Sequence, residues 1–218
     1  MMIKKFFVTL AVILFSFSVF AEEAQVNSQL PKIEEGKQYI TLAKFPSPEK
    51  EVVEIFSFNC PSCFRIDTEF KIGEKIKNNL PEGVKFKKYS LNSFGPLAME
   101  LSEAWAIANV LGIQNDFAID IYNGIQRDKT VKTADDIKGV FANLGVDSDK
   151  YESMKNNFLV KEFITQQEQA TKELQPASIP SFYVNGKYLI NARGLDQTSA
   201  DSSIKDYSRV TNYLVELK

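Results

Sequence analysis

Apolar residues fall in two rhythms along the chain. Short runs rich in β-branched and aromatic residues, or alternating with polar ones, predict strands at Tyr39-Ile40-Thr41-Leu42, Val52 to Phe58, Val84 to Leu91, Ser181-Phe182-Tyr183-Val184 and Lys187 to Ile190. Asn185-Gly186 stands between the last two, and that pair accepts positive φ readily enough to be the strongest short hairpin signal. Pro46 and Pro48 break the first strand from the second. Helical spacing begins directly after the second strand, with Phe64, Ile66, Phe70, Ile72 and Ile76, and predicts one helix to about Asn79, stopped by Pro81 and Gly83. A strand-helix-strand unit results, with parallel strands.

From Phe94 to Gln175 the rhythm is helical throughout. Leu97, Leu101, Ala104, Trp105, Ala108 and Leu111 line one face, and Phe117, Ile121 and Ile125 a second. Thr133 opens a third helix that Gly145 closes, Tyr151 and Met154 mark a short fourth, and Val160 to Leu174 a long fifth. These stripes read as core. A last helix, from about Ser199 to Leu217, follows the hairpin. The chain is therefore α/β: a strand-helix-strand half and a hairpin-helix half flank an all-helical insertion.

The N-terminus has a different character. Lys4 and Lys5 precede an apolar stretch from Phe6 to Phe20, and Val19-Phe20-Ala21 suits a signal peptidase, so residues 1–21 read as a cleavable secretory signal. Its apolar part is short of the roughly 20 residues a spanning helix needs, which disfavours an uncleaved anchor. A polar leader follows, 22–36. The formal charge of −2 becomes −4 without Lys4 and Lys5, and neither value favours nucleic acid or an anionic membrane.

Export changes the meaning of the two cysteines, Cys60 and Cys63. Disulfides persist outside the cytosol, and two thiols there sit at a chosen redox poise. The pair lies at the strand-to-helix turn Phe58-Asn59-Cys60-Pro61-Ser62-Cys63, with Pro61 suited to the first helical position. Free amide groups and the positive end of the helix dipole stabilise an anion there, so Cys60 is expected to be an exposed, easily ionised nucleophile. Cys63, one turn on, is expected to be the shielded thiol that attacks a mixed disulfide on Cys60. A purely structural staple would contribute only about 2 kcal/mol for so short a loop. Zinc would need further ligands, and the chain has no histidine, so no metal is expected. Glu54, a carboxylate inside an apolar strand, is costly unless paired or protonated; Lys88 on the neighbouring strand is its natural partner.

Taken together, these residues resemble the DsbA-type thiol oxidases, a thioredoxin-like fold with an inserted all-helical domain. The resemblance covers nearly the whole chain after the signal. It rests on Gly36-Lys37-Gln38-Tyr39, on Glu54 to Phe58 with Cys60-Pro61-Ser62-Cys63, on Leu80-Pro81-Glu82-Gly83-Val84, on Gln166-Gln167-Glu168, and most of all on Ile179-Pro180 leading into Phe182 to Tyr188. It implies a thioredoxin-like domain in two parts, 37–93 and 176–218, around a helical domain at 94–175. It also implies that Pro180 is a cis-proline presenting the backbone of Ile179 to Cys60 and to a substrate peptide, the alternative being a trans proline at the start of an edge strand. Further, it places the Glu54–Lys88 pair beneath the cysteines, where it helps move the proton of Cys63; a merely structural ion pair is the alternative. The chain departs from the family at Ser62, where histidine is usual, so the Cys60 thiolate lacks an imidazole neighbour.

The activity so implied is donation of the Cys60–Cys63 disulfide to unfolded exported proteins in the periplasm, with reoxidation by a quinone-linked membrane oxidase of the DsbB type and no cofactor beyond the disulfide. The resemblance implies a monomer. Two alternatives are a disulfide reductase or isomerase, which would more often carry a dimerisation segment, and a peptide-binding chaperone with incidental cysteines.

Overall fold

The strand expected at Val52–Phe58 is the one against which the rest is placed. The structure, a computed structural model, describes residues 31–217, so the expected signal at 1–21 and the leader as far as residue 30 lie outside the described residues. Here the strand is β2, Glu51–Phe56, buried from Val52 onward. Its Val52, Val53 and Ile55 suit a strand covered on both faces. It pairs in parallel with β3, Lys85–Ser90, which sets Glu54 opposite Lys88, and antiparallel with β4, Ser181–Val184, which sets Glu54 opposite Phe182. With β5, Tyr188–Ile190, and β1, Tyr39–Thr41, the sheet order is β1-β5-β4-β2-β3.

The hairpin forms where Asn-Gly predicted it. Asn185 and Gly186 have φ of 51° and 63°, and Lys187 N–H donates to the Val184 carbonyl at 3.1 Å. The Asn185 side chain also accepts from Glu51 N–H at 3.1 Å and donates to the Val215 carbonyl at 3.3 Å, which ties the turn to β2 and to the last helix, α8 here, Ala200–Glu216. Of the leader, Ile33 packs into the core, and Glu34 N–H donates to the buried Gln38 side chain at 3.0 Å.

The first long helix differs from expectation. It is not continuous from Pro61 to Asn79: α1, Pro61–Arg65, runs into a π-helical turn, Ile66–Phe70, which ends at Lys71 in the left-handed region (φ 51°), and α2, Ile72–Asn79, starts again. The wide turn closes with Lys71 N–H donating to the Ile66 carbonyl, one residue beyond α-helical spacing. Apolar spacing alone cannot register that extra residue.

Residues between β3 and β4 are helical, as expected: α3 (Ala98–Leu111), α4 (Gln114–Tyr122) with a π-helical turn at Asn123–Arg127, α5 (Ala134–Asn143), α6 (Ser148–Lys155) and α7 (Phe158–Leu174). Thr133 caps α5 in a reciprocal box with Asp136, and Gly145 follows its end at φ 81°. α2 and α8 cover one sheet face through Ile72, Ile76, Tyr207, Val210 and Leu214, while α7 covers the other, with Leu174 packed in a cluster with Val53, Ile55, Tyr89 and Tyr183. The helical run does not close its core separately: Trp105, Phe117, Ile121, Tyr122 and Phe141 share a cluster with Phe56, Phe58, Cys60 and Cys63. Buried Gln167 of α7 fastens the two parts, accepting from Ser90 N–H at 2.8 Å and donating to the Ser102 carbonyl at 3.1 Å. Among the described residues no helix is long and apolar enough to cross a membrane.

Candidate active site

The end of β2 delivers the chain to the cysteines under tight control. Ser57 Oγ accepts from Asn59 N–H at 3.1 Å and donates to the Phe94 carbonyl at 3.2 Å, and Asn59 Nδ2 donates to the Phe94 and Pro96 carbonyls at 3.1 and 2.8 Å. Gln126 donates to the Phe58 carbonyl at 2.8 Å. The turn is thus held from β2 and from the helical run alike. Cys60 is the N-cap of α1 and Pro61 its first residue, so proline costs no hydrogen bond there.

Both cysteines are free thiols. Cys60 Sγ accepts from the Cys63 N–H at 3.4 Å. Its pKa is pushed down to about 6, first by the hydrogen bond from the Cys63 side chain, then, against a burial penalty, by the backbone N–H groups of Cys63 and Ser62. Ser62 thus contributes a backbone group, and its side chain is exposed. Burial, and then the hydrogen bond it donates to Cys60, push the Cys63 thiol far up. One expectation needs correction: Cys60 is not exposed. It is only 5% accessible, because the loop before β4 lies over it and its thiol donates to the Ile179 carbonyl at 3.5 Å. The Ile179–Pro180 peptide bond is cis.

Beneath the sulfurs lies a charged cluster that sequence reasoning found only in part. Lys88 Nζ is 3.1 Å from Glu54 Oε1, as the strand pairing required, but its short hydrogen bond goes to Asp67 of the π-helical turn. Asp67 accepts from the Tyr122 hydroxyl at 2.7 Å through its other oxygen. Neither Glu54 oxygen has a well-aligned hydrogen-bond partner among the described residues, and the carboxyl is wholly buried. Burial, only partly offset by Lys88 and reinforced by Asp67, raises its pKa far above the ordinary carboxylate range. Burial opposes the charge of Lys88, but the two carboxylates outweigh it and hold its pKa above the usual value. The Lys88 ammonium also sits 4.5 Å over the Phe56 ring. Gly73 of α2 makes room for the cluster, since a Cβ there would stand 2.7 Å from Glu54 Oε2.

Asp67, Tyr122 and Gly73 escaped the sequence reading. Asp67 sits four residues after Cys63, on the side of the helix that faces Lys88, and that spacing was the one available signal. Tyr122 and Gly73 had none, because each acts across a contact between distant elements. Among the described residues no group of three or more His, Cys, Asp or Glu side chains is placed to hold a metal.

Comparison with known proteins agrees with this geometry. Residues 51–201 match the family described as the DSBA-like thioredoxin domain. The chain is 39% identical over 215 residues to the thiol:disulfide interchange protein DsbA of Salmonella typhimurium, spanning 99% of this chain and all of that one, and 36% identical over 216 residues to the DsbA of Escherichia coli K12. Among solved structures, the DsbA of Klebsiella pneumoniae superposes with a TM-score of 0.81 at 33% identity, covering 86% of this chain and all of that one. A Proteus mirabilis DsbA variant, crystallised with a non-covalently bound peptide, gives the same score and identity. By its sequence, its sheet and its cysteine turn, the chain belongs to the DsbA-like family of thioredoxin-fold thiol:disulfide oxidoreductases.

Proposed function

We propose that this oxidoreductase works as a disulfide donor, with Cys60 as nucleophile-accepting sulfur and Cys63 as its buried partner. The observation that carries this reading is the split between the two thiols: Cys60 is pushed down to about 6 and Cys63 is pushed far up. A substrate thiolate attacks Cys60 Sγ of the Cys60–Cys63 disulfide. The substrate–Cys60 bond forms, the Cys60–Cys63 bond breaks, and its electron pair goes to Cys63. Because burial makes a Cys63 thiolate costly, that sulfur must take a proton as it leaves, and Glu54 supplies it. A second substrate thiolate then attacks the substrate sulfur of the mixed disulfide. The substrate disulfide forms, and Cys60 departs as a thiolate that three hydrogen-bond donors stabilise. Two substrate thiols are oxidised, the protein disulfide is reduced, and Glu54 recovers its proton from solvent.

Lys88 and Asp67 hold the charge of that cluster, and Pro61 sets the turn. Ile179 and Pro180 would border the substrate backbone beside Cys60, a reading supported by the contact between the Ile179 carbonyl and the Cys60 sulfur at 3.5 Å. The substrates would be unfolded exported proteins in the periplasm, reached after cleavage at residue 21, and a quinone-linked membrane oxidase of the DsbB type would restore the disulfide of the monomer. In this reading, 37–93 and 176–218 form the redox domain and 94–175 its helical cover.

The test is equilibration of the Cys60–Cys63 pair against a glutathione buffer. A donor remains half reduced even where oxidised glutathione exceeds reduced; a pair that is fully oxidised under those conditions is a reductase. Cys63→Ser should in addition accumulate mixed disulfides with reduced substrate proteins, visible on non-reducing gels.

A further inference from the structure

The hydroxyl of Tyr122 reaches the cluster beneath the cysteines from α4, an element separate from the redox strand and helix. Its ring is fully buried, packed on Phe58 at 4.9 Å and Phe64 at 5.7 Å between centroids, and its hydroxyl is aimed at Asp67 Oδ2 at 2.7 Å. Two carboxyl groups thus flank one ammonium, Lys88, and they are not equivalent: Asp67 has Lys88 and the Tyr122 donor, while Glu54 has Lys88 and, as its other polar neighbour, the Asp67 carboxyl itself. A phenol that donates to a carboxyl favours its charged form. Of the two, Glu54 is then the group left to carry a proton.

We propose that Tyr122 is a positioning residue that decides which of the two buried carboxyls holds the mobile proton, keeping Asp67 as the acceptor and Glu54 as the proton carrier for Cys63. This rests on the role given above to Glu54. The groups facing the cluster are Cys60, the N-cap of α1, Cys63 from α1, Lys88 from β3, Tyr122 from α4 and Tyr207 from α8, whose hydroxyl feels the charge of Glu54. The helical run therefore takes part in proton handling as well as covering the site.

The test is the single-turnover rate at which the oxidised protein oxidises a dithiol peptide, measured against pH in wild type, Tyr122→Phe, Glu54→Gln and the double variant. Dividing each profile by the thiolate fraction of the peptide, titrated separately, removes ionisation of the substrate thiol and leaves an alkaline limb where Glu54 loses its proton. Tyr122→Phe keeps the ring and its packing. Without the hydroxyl, Asp67 takes a share of the one proton that the two carboxyls hold, so the rate on the plateau below the limb should fall by about two- to tenfold, while the limb, which reports loss of the shared proton, should stay in place or move to higher pH. Asp67→Asn, which removes the charge beside Glu54, should instead move the limb to lower pH, and Tyr122→Phe should add nothing in the Glu54→Gln background. A Tyr122→Phe plateau equal to that of wild type, or a limb moved to lower pH, while Glu54→Gln abolishes the limb, overturns the assignment of Tyr122 alone. A limb that survives Glu54→Gln overturns the role of Glu54, and this assignment with it.

Discussion

Lowering the pH should remove stability from the reduced protein relative to the oxidised one, because only the reduced form contains the Cys60 thiolate. An ordinary thiol has a pKa of about 8.5, against about 6 for Cys60 in the fold. The folded pKa is the depressed one, so the stabilisation is complete above the unfolded pKa and is lost as pH falls through the folded one. Worked from those two values, the contribution is close to zero at pH 5, about 1.4 kcal/mol at pH 7 and about 2.6 kcal/mol at pH 8, upper limits that solvent screening of the sulfur reduces. Above pH 8.5 Cys63 works in the opposite sense, since it ionises in the unfolded chain and is held neutral in the fold, so the useful window is pH 5 to 8. Urea denaturation of both redox forms at pH 5, 7 and 8 measures the quantity, with Cys60→Ala as control. The reduced-minus-oxidised difference should grow with pH in the wild type, and the reduced wild type should gain stability with pH relative to Cys60→Ala, which has neither this thiolate nor a disulfide. A flat difference in the wild type, or one that shrinks as pH rises, would refute the claim that the fold stabilises this thiolate.

Ser62→His places an imidazole beside the thiolate, and a charge-assisted hydrogen bond of about 1.5–3 kcal/mol corresponds to roughly 30–65 mV toward a more oxidising couple. Thiolate absorbance and glutathione equilibration should both move, with no loss of fold because Ser62 is exposed; an unchanged pKa would mean that the backbone donors alone set this thiol. Gly73→Ala puts a methyl within 2.7 Å of Glu54 Oε2 and should cost about 1–3 kcal/mol of stability, read as a lowered urea midpoint, with altered pH dependence of turnover because the buried carboxyl must move.

Much of this architecture is legible in local sequence because local rules decide it. The hairpin follows from Asn185-Gly186, the start of α5 from Thr133 and Asp136, and the placing of Cys60 and Cys63 from the junction between a β-branched run and a helical one. The Glu54–Lys88 pairing was within reach because parallel neighbours bring opposite residues together. What lay hidden depends on contacts that no spacing encodes. The π-helical turn at Ile66–Phe70 adds a residue without changing the apolar rhythm. Asp67 reads as a solvated helix position until Lys88 and Tyr122 are seen to converge on it. The covering of Cys60 belongs to the same class, since its neighbour in space, Ile179, is 119 residues away.

That separation also fixes an order of assembly. β2, α1 and β3 can pair through local connections, and α3 to α7 follow one another with short links, but β4, which carries the cover of Cys60 into the sheet, arrives only with the last forty or so residues. A chain synthesised from its N-terminus therefore carries Cys60 uncovered until the segment around Ile179 has followed. Truncation before Ile179 takes away the segment that covers Cys60 and should leave that sulfur open to thiols and disulfides in solution.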